Sequence, residues 1–235
     1  MAHYAYLLML LLSSLLILSG LQGTHAVQYK VINNVGSTPG GIRFTNEIGI
    51  EYSESTLAAA SEFIWQTFGQ TSLADRMDVQ LVSMIVDDIN GKAYTDNNRI
   101  HVSARYIASY SGDDVKTEIT GVLYHEVTHI WQWTGMKQAP KQLIEGIADY
   151  IQLKAGYAES DWVKPGEGKK WDDGYDVTAR FLDYCNSLRD GFVAELNAKM
   201  RTGYSPQIFV DLLGKKVNRI WSDYKAKYTN STQTN

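Results

Sequence analysis

The spacing of apolar side chains changes part-way along the chain, from a repeat of two to a repeat near 3.6, which predicts strands first and helices second. Val27 to Val35 alternates as a half-buried strand does. Val79 to Val86 is apolar and rich in β-branched residues, a second strand. Asn90-Gly91 is a strong hairpin-turn dipeptide, so Lys92 to Thr95 is expected to follow as a strand. Asp96-Asn97-Asn98 marks another turn before a strand at Arg99 to Ser103, and this middle region predicts a small antiparallel sheet. Between the first two strands, Thr38-Pro39-Gly40-Gly41 reads as a turn, because proline fixes one dihedral and glycine permits positive φ. Ile42 to Ile50 reads as strand-like or irregular. Thr56 to Phe68 reads as a helix capped by Ser53 or Ser55, with Leu57, Ala60, Ile64 and Phe68 on one face and Gly69 as its stop.

The helical period then takes over. A helix opened by Ser111 or Asp113 is expected to run to Trp133, with Gly135 just beyond. Pro140 begins the next, which runs to about Lys154 and ends at Gly156. Trp162 to Gly174, with Pro165, three glycines and several charges, reads as a loop. Three or four shorter amphipathic helices follow. Their apolar faces include Phe181, Leu182 and Leu188; Phe192 and Leu196; Phe209, Leu212 and Leu213; and Val217, Ile220, Trp221 and Tyr224. Strands followed by helices argue an α+β fold, an antiparallel-containing sheet in the N-terminal half and a mainly helical C-terminal half.

The chain's ends add a compartment. Leu7 to Leu18 is apolar apart from Ser13 and Ser14, a length that suits a secretory signal better than a membrane span. Thr24-His25-Ala26 has the small-x-small form of a cleavage site, so residues 1–26 are expected to be removed and the rest secreted, with no stable membrane association. A single domain is expected over 27–228, and a polar, frayed tail over 229–235 that carries the glycosylation sequon Asn230-Ser231-Thr232. Cys185 is the one cysteine, so no intramolecular disulfide forms and stability must come from the core. It shares a helical face with Phe181 and Leu188 and reads as a buried small hydrophobe. The formal charge of -4 and the lack of a Lys/Arg run point away from nucleic acid and anionic membranes. The protein is expected to be a monomer.

Candidate chemistry is concentrated in His125-Glu126-Val127-Thr128-His129. Residues four apart stack on one helix face, so the two imidazoles can converge on one zinc ion. Glu126 is offset to the side, where its carboxylate can reach a water on the metal and act as general base. Of five histidines, two lie in the leader, and two of the remaining three form this motif. A catalytic zinc needs a third protein ligand and an open position. Glu145 and Asp149, four apart on the next helix, are the candidates: Glu145 as ligand with Asp149 orienting a ligand histidine, or the reverse. Tyr175 is the first candidate donor to an oxyanion, ahead of Tyr150 and Tyr157.

The chain resembles the plant basic secretory protein family, secreted proteins grouped with zinc metallopeptidases. The resemblance rests on Pro39-Gly40-Gly41-Ile42-Arg43-Phe44 with Glu47-Ile48-Gly49, on His125 to Trp131, and on Glu145-Gly146-Ile147-Ala148-Asp149-Tyr150. It continues in Tyr175-Asp176-Val177-Thr178-Ala179-Arg180-Phe181-Leu182 and Leu213-Gly214-Lys215-Lys216. It implies a zincin-like, thermolysin-like core in which Glu145 matches the third ligand and Asp149 its partner. It also implies peptidase activity and a place in the plant apoplast or cell wall, in defence or stress. The step from His129 to Glu145 is shorter than in thermolysin-like enzymes, and a mildly acidic chain does not share the charge in the family's name.

The leading expectation is therefore a secreted zinc peptidase acting on peptides or proteins. The competing one is a secreted defence or binding protein whose metal is structural, in a site closed by a fourth ligand such as His101. A metal hydrolase acting on a non-peptide substrate is a third.

Overall fold

The computed structural model describes residues 26–112 and 114–231. The apolar leader, Asp113 and the last four residues of the tail lie outside the described residues. Four strands form one mixed sheet: β1 (Gln28–Asn33), β2 (Leu81–Asp87), β3 (Ala93–Asp96) and β4 (Arg99–Ser103), in the order β1-β2-β4-β3. β2 lies parallel to both β1 and β4, and only β3 and β4 are antiparallel. The sheet is antiparallel-containing as expected, but the middle strands are not antiparallel throughout, since β2 runs parallel to β4. Asn90-Gly91 makes a turn, with Gly91 at φ 83°, but it does not close a hairpin. Both sides of β2 are taken by parallel partners, so the chain passes over and pairs β3 with β4 through the turn at Asn97 (φ 54°). β3 is left as an edge strand.

The segment after β1 is helical, against expectation. Thr38 caps α1 (Pro39–Arg43) by accepting from the Gly41 N–H, with Pro39 in the first turn, where its missing N–H costs nothing. A π-turn over Phe44–Ile48 follows, and Gly49 (φ 85°) leads into α2 (Ile50–Thr67). Gly40 and Gly41 serve close packing: a Cβ there would lie 1.8 Å from the Ala104 carbonyl oxygen and 2.0 Å from that of Val35. Ser53 and Ser55 are not caps but sit inside α2, bonding back to the carbonyls of Gly49 and Glu51. Gly69 (φ 65°) follows the end of the helix.

After the short α3 (Ala104–Ser109), Asp114 caps α4 (Val115–Trp131), accepting from the N–H groups of Lys116 and Thr117. The helix therefore opens one position beyond the latest expected cap and closes two residues early. α4 is buried on most of its surface, packing against α2 and α5 (Lys141–Lys154). Ser61 of α2 accepts from the Trp131 indole at 3.0 Å, which ties the end of α4 to the core. α5 lies against α6 (Tyr175–Leu188), and Gly146 lets them approach, since a Cβ there would fall 2.3 Å from the Thr178 side chain.

α7 (Phe192–Met200), α8 (Gln207–Leu213) and α9 (Val217–Ser231) complete the chain. Phe181, Phe192, Phe209 and Tyr224 form an aromatic cluster among α6 to α9. Cys185 is fully buried beside them, but Leu188 is half exposed, because the last turn of α6 runs past the apolar layer. The tail expected to fray after Tyr228 is helical as far as Ser231. Among the described residues, no helix is long and apolar enough to cross a membrane.

Candidate metal centre

The inward face of α4 carries His125 and His129 one turn apart, with their Nε2 atoms 3.1 Å from each other. Glu145 of α5 brings Oε2 to 3.3 Å from the first and 3.4 Å from the second. Three donor atoms at these spacings suit one cation at their centre. A tetrahedral zinc with bonds of about 2.0–2.1 Å separates its donors by about 3.3–3.4 Å. Two imidazoles and a carboxylate with these spacings therefore fit that ion. Among the described residues, this is the one group of three metal-binding side chains that converges.

Charge points the same way. Glu126 and Asp149 are 6% and 5% exposed, and Glu145 is partly buried beside them. Among the described residues, no Lys or Arg ion pair reaches any of the three. Buried carboxylates without a counter-charge are strongly unfavourable. Without a metal, a proton fills the role: burial opposes the His125 imidazolium, but the Asp149 and Glu145 carboxylates outweigh it and lift its pKa to about 10. Burial pushes the Glu145 carboxyl up, yet the two imidazoles outweigh that and hold it well below the usual range.

The surrounding contacts orient the rings. Asp149 Oδ1 lies 2.5 Å from His125 Nδ1, so the proton sits on that nitrogen and Nε2 faces the centre. Glu145 and Asp149 are one turn apart on α5, and each meets a different nitrogen of His125. Glu126 points to the side, where the Thr95 hydroxyl of β3 lies 2.7 Å from its Oε2. Gln132, the residue closing α4, is buried with its side-chain amide 2.6 Å from His129 Nδ1.

A cleft of about 810 Å³ opens over the group, lined also by Tyr94, Thr95, Val122, Trp162 and Tyr175. The Tyr175 ring is nearly parallel to that of His125, with centroids 6.3 Å apart. Tyr175 has φ 46° directly after Gly174, a costly conformation for a bulky residue, and one that functional sites tend to retain. Burial, followed by the carboxylates of Glu145, Asp149 and Glu126, raises its pKa, so the phenol keeps its proton and can donate. Tyr150 is in the core and Tyr157 packs on Tyr124, and neither lines the cleft. His101 stays apart: its Nδ1 is 2.6 Å from Asp87 Oδ2 and its ring stacks on Tyr94. Thr95 and Gln132 escaped the sequence reading. Gln132 had a signal, lying three positions beyond His129, just past the end of the helix. Thr95 had none, because it arrives from an edge strand with no local relation to the motif.

Residues 24–224 match the family described as peptidases of plants and bacteria. The chain belongs to this family. It is the family that the sequence resemblance pointed to. Over 59 residues it is 51% identical to a basic secretory protease of Boswellia serrata, a match spanning 25% of this chain and 67% of that relative. A solved two-domain M1 zinc metallopeptidase mutant bound to L-arginine superposes with TM-score 0.52 at 14% identity, over 86% of this chain and 49% of the other. An M1 zinc metallopeptidase from Deinococcus radiodurans gives TM-score 0.46 at 12% identity, over 72% of this chain and 43% of its own. This chain thus spans less than half the length of these solved chains. At such identity the first likeness concerns the fold, which is the expected zincin-like α+β arrangement.

Proposed function

We propose that this peptidase is a secreted, zinc-dependent enzyme that hydrolyses peptide bonds in peptides or proteins. The observation that carries the reading is the triangle of His125 Nε2, His129 Nε2 and Glu145 Oε2 at 3.1–3.4 Å, set in the floor of an open cleft. His125, His129 and Glu145 would hold one zinc ion, and Asp149 keeps His125 in the tautomer that faces it. When bound, the ion supplies Lewis acidity toward the scissile carbonyl and makes water acidic enough to attack near neutral pH. Glu126 takes the proton from the attacking water and passes it to the leaving amine. The Thr95 hydroxyl holds the Glu126 carboxylate in place for this transfer. The Tyr175 phenol, protonated and at the cleft wall, donates to the developing oxyanion.

Export rests on the apolar leader and its Thr24-His25-Ala26 site, with 27–228 as one catalytic domain. The name of the Boswellia relative, a basic secretory protease, supports export, and the family resemblance implies an apoplastic place and a defence or stress role. The test is metal content of the purified secreted protein together with casein hydrolysis before and after chelation. The expected result is one zinc per chain and activity lost on chelation, then restored by zinc. Glu126→Gln should keep the zinc and lose about 100- to 10,000-fold in kcat. Chelator-resistant hydrolysis, or a Glu126→Gln variant as fast as wild type, would overturn the mechanism.

A further inference from the structure

The amide of Gln132 and the imidazole of His129 are forced into one joint choice. Gln132 is 1% exposed, and its side-chain nitrogen lies 2.6 Å from His129 Nδ1 while its Oε1 meets no partner among the described residues. A half-turn of the amide exchanges the two atoms without changing its shape. With nitrogen on the ring, the amide donates to Nδ1, and the ring proton must sit on Nε2, facing His125 Nε2 at 3.1 Å. With oxygen on the ring, Nδ1–H donates to the amide, and Nε2 presents a lone pair to the centre. As placed, the buried Oε1 lacks a partner, so no other contact of the amide fixes which atom faces the ring. A cation at the centre needs the second arrangement, with the Nε2 lone pair facing it.

We propose that Gln132 is the positioning residue for His129: its amide oxygen accepts the Nδ1–H and so holds Nε2 in the ion-binding tautomer. This rests on the zinc reading above and adds a residue to it. The two histidines are then held differently, His125 by the Asp149 carboxylate and His129 by a neutral amide. The neutral partner adds no further negative charge to a centre where Glu126, Glu145 and Asp149 already meet.

The test uses the secreted protein in its zinc-loaded and metal-free forms, with Gln132→Leu to delete the acceptor and Gln132→Glu to restore one. Zinc affinity is read by competition with a chromogenic chelator. Ring tautomers are read by nitrogen NMR of histidine-labelled protein, which beyond the leader carries only His101, His125 and His129. Gln132→Leu is expected to weaken zinc binding about 10- to 100-fold. It should also lose the exchange-protected Nδ1–H signal of His129, while that of His125 remains. Gln132→Glu should recover both the signal and most of the affinity. Unchanged affinity in Gln132→Leu would overturn the proposal, as would equal losses in both variants, which indicate packing alone. Wild-type protein that takes up no zinc would sink the metal centre itself. In that case a His129 ring in the Nδ1–H form that depends on Gln132 would still show the amide setting the tautomer, which separates the two failures.

Discussion

At the scale of single residues, His125 is held by Asp149, His129 lies against Gln132 and Glu126 against Thr95, while Glu145 meets both imidazoles. Thr95 and Glu126 are the pair with the least sequence signal and the most direct bearing on turnover. A hydroxyl bonded to a buried carboxylate contributes about 1.5–3 kcal/mol. Thr95→Val keeps the shape and removes the hydroxyl. It should lower kcat about 10- to 100-fold with zinc content unchanged, because the bond touches the proposed base and none of the proposed zinc ligands. Steady-state kinetics beside metal analysis checks this, and a variant with wild-type kcat would show that Glu126 needs no such support. The His-Glu-x-x-His spacing was legible because helix geometry alone puts residues four apart on one face. The Thr95 contact was not, since no rule of spacing links positions 31 residues apart.

Among elements, the approach of α5 to its neighbours decides where Glu145 falls. Gly146, directly after Glu145, is the position where α5 touches α6, with room for no Cβ beside Thr178. Gly146→Ala should overpack this contact by about 1–3 kcal/mol, lowering Tm by roughly 3–10 °C. It should also weaken zinc binding, because relief of the clash moves α5 and Glu145 with it. Calorimetry and a zinc titration on one sample test both parts, and a loss of stability with intact affinity would show that α5 holds its place. Helix periods marked out α4 and α5 nearly to their ends. The glycines of α1 misled, because Gly40 and Gly41 look like turn residues in a string and act as close-packing residues in space.

For the whole molecule, the buried carboxylates make the folded state depend on what neutralises them. An ion present at about a thousand times its Kd adds about 4 kcal/mol to a folded chain, roughly 10 °C for one of this size. Chelation should therefore lower Tm by about that much, and reductant should leave it unchanged, since the one cysteine is buried and unpaired. A Tm indifferent to chelator would mean that the folded state carries its acids without a metal. The residue string by itself determined the mainly helical C-terminal half, the two imidazoles one turn apart and the nearby acid pair, because each follows from local period and spacing. Only the tertiary structure decided the strand order, the edge position of β3, and which acid of α5 faces the Nε2 atoms and which meets His125 Nδ1. Those are contacts between segments distant in sequence, and their relative placement is settled by how the core packs.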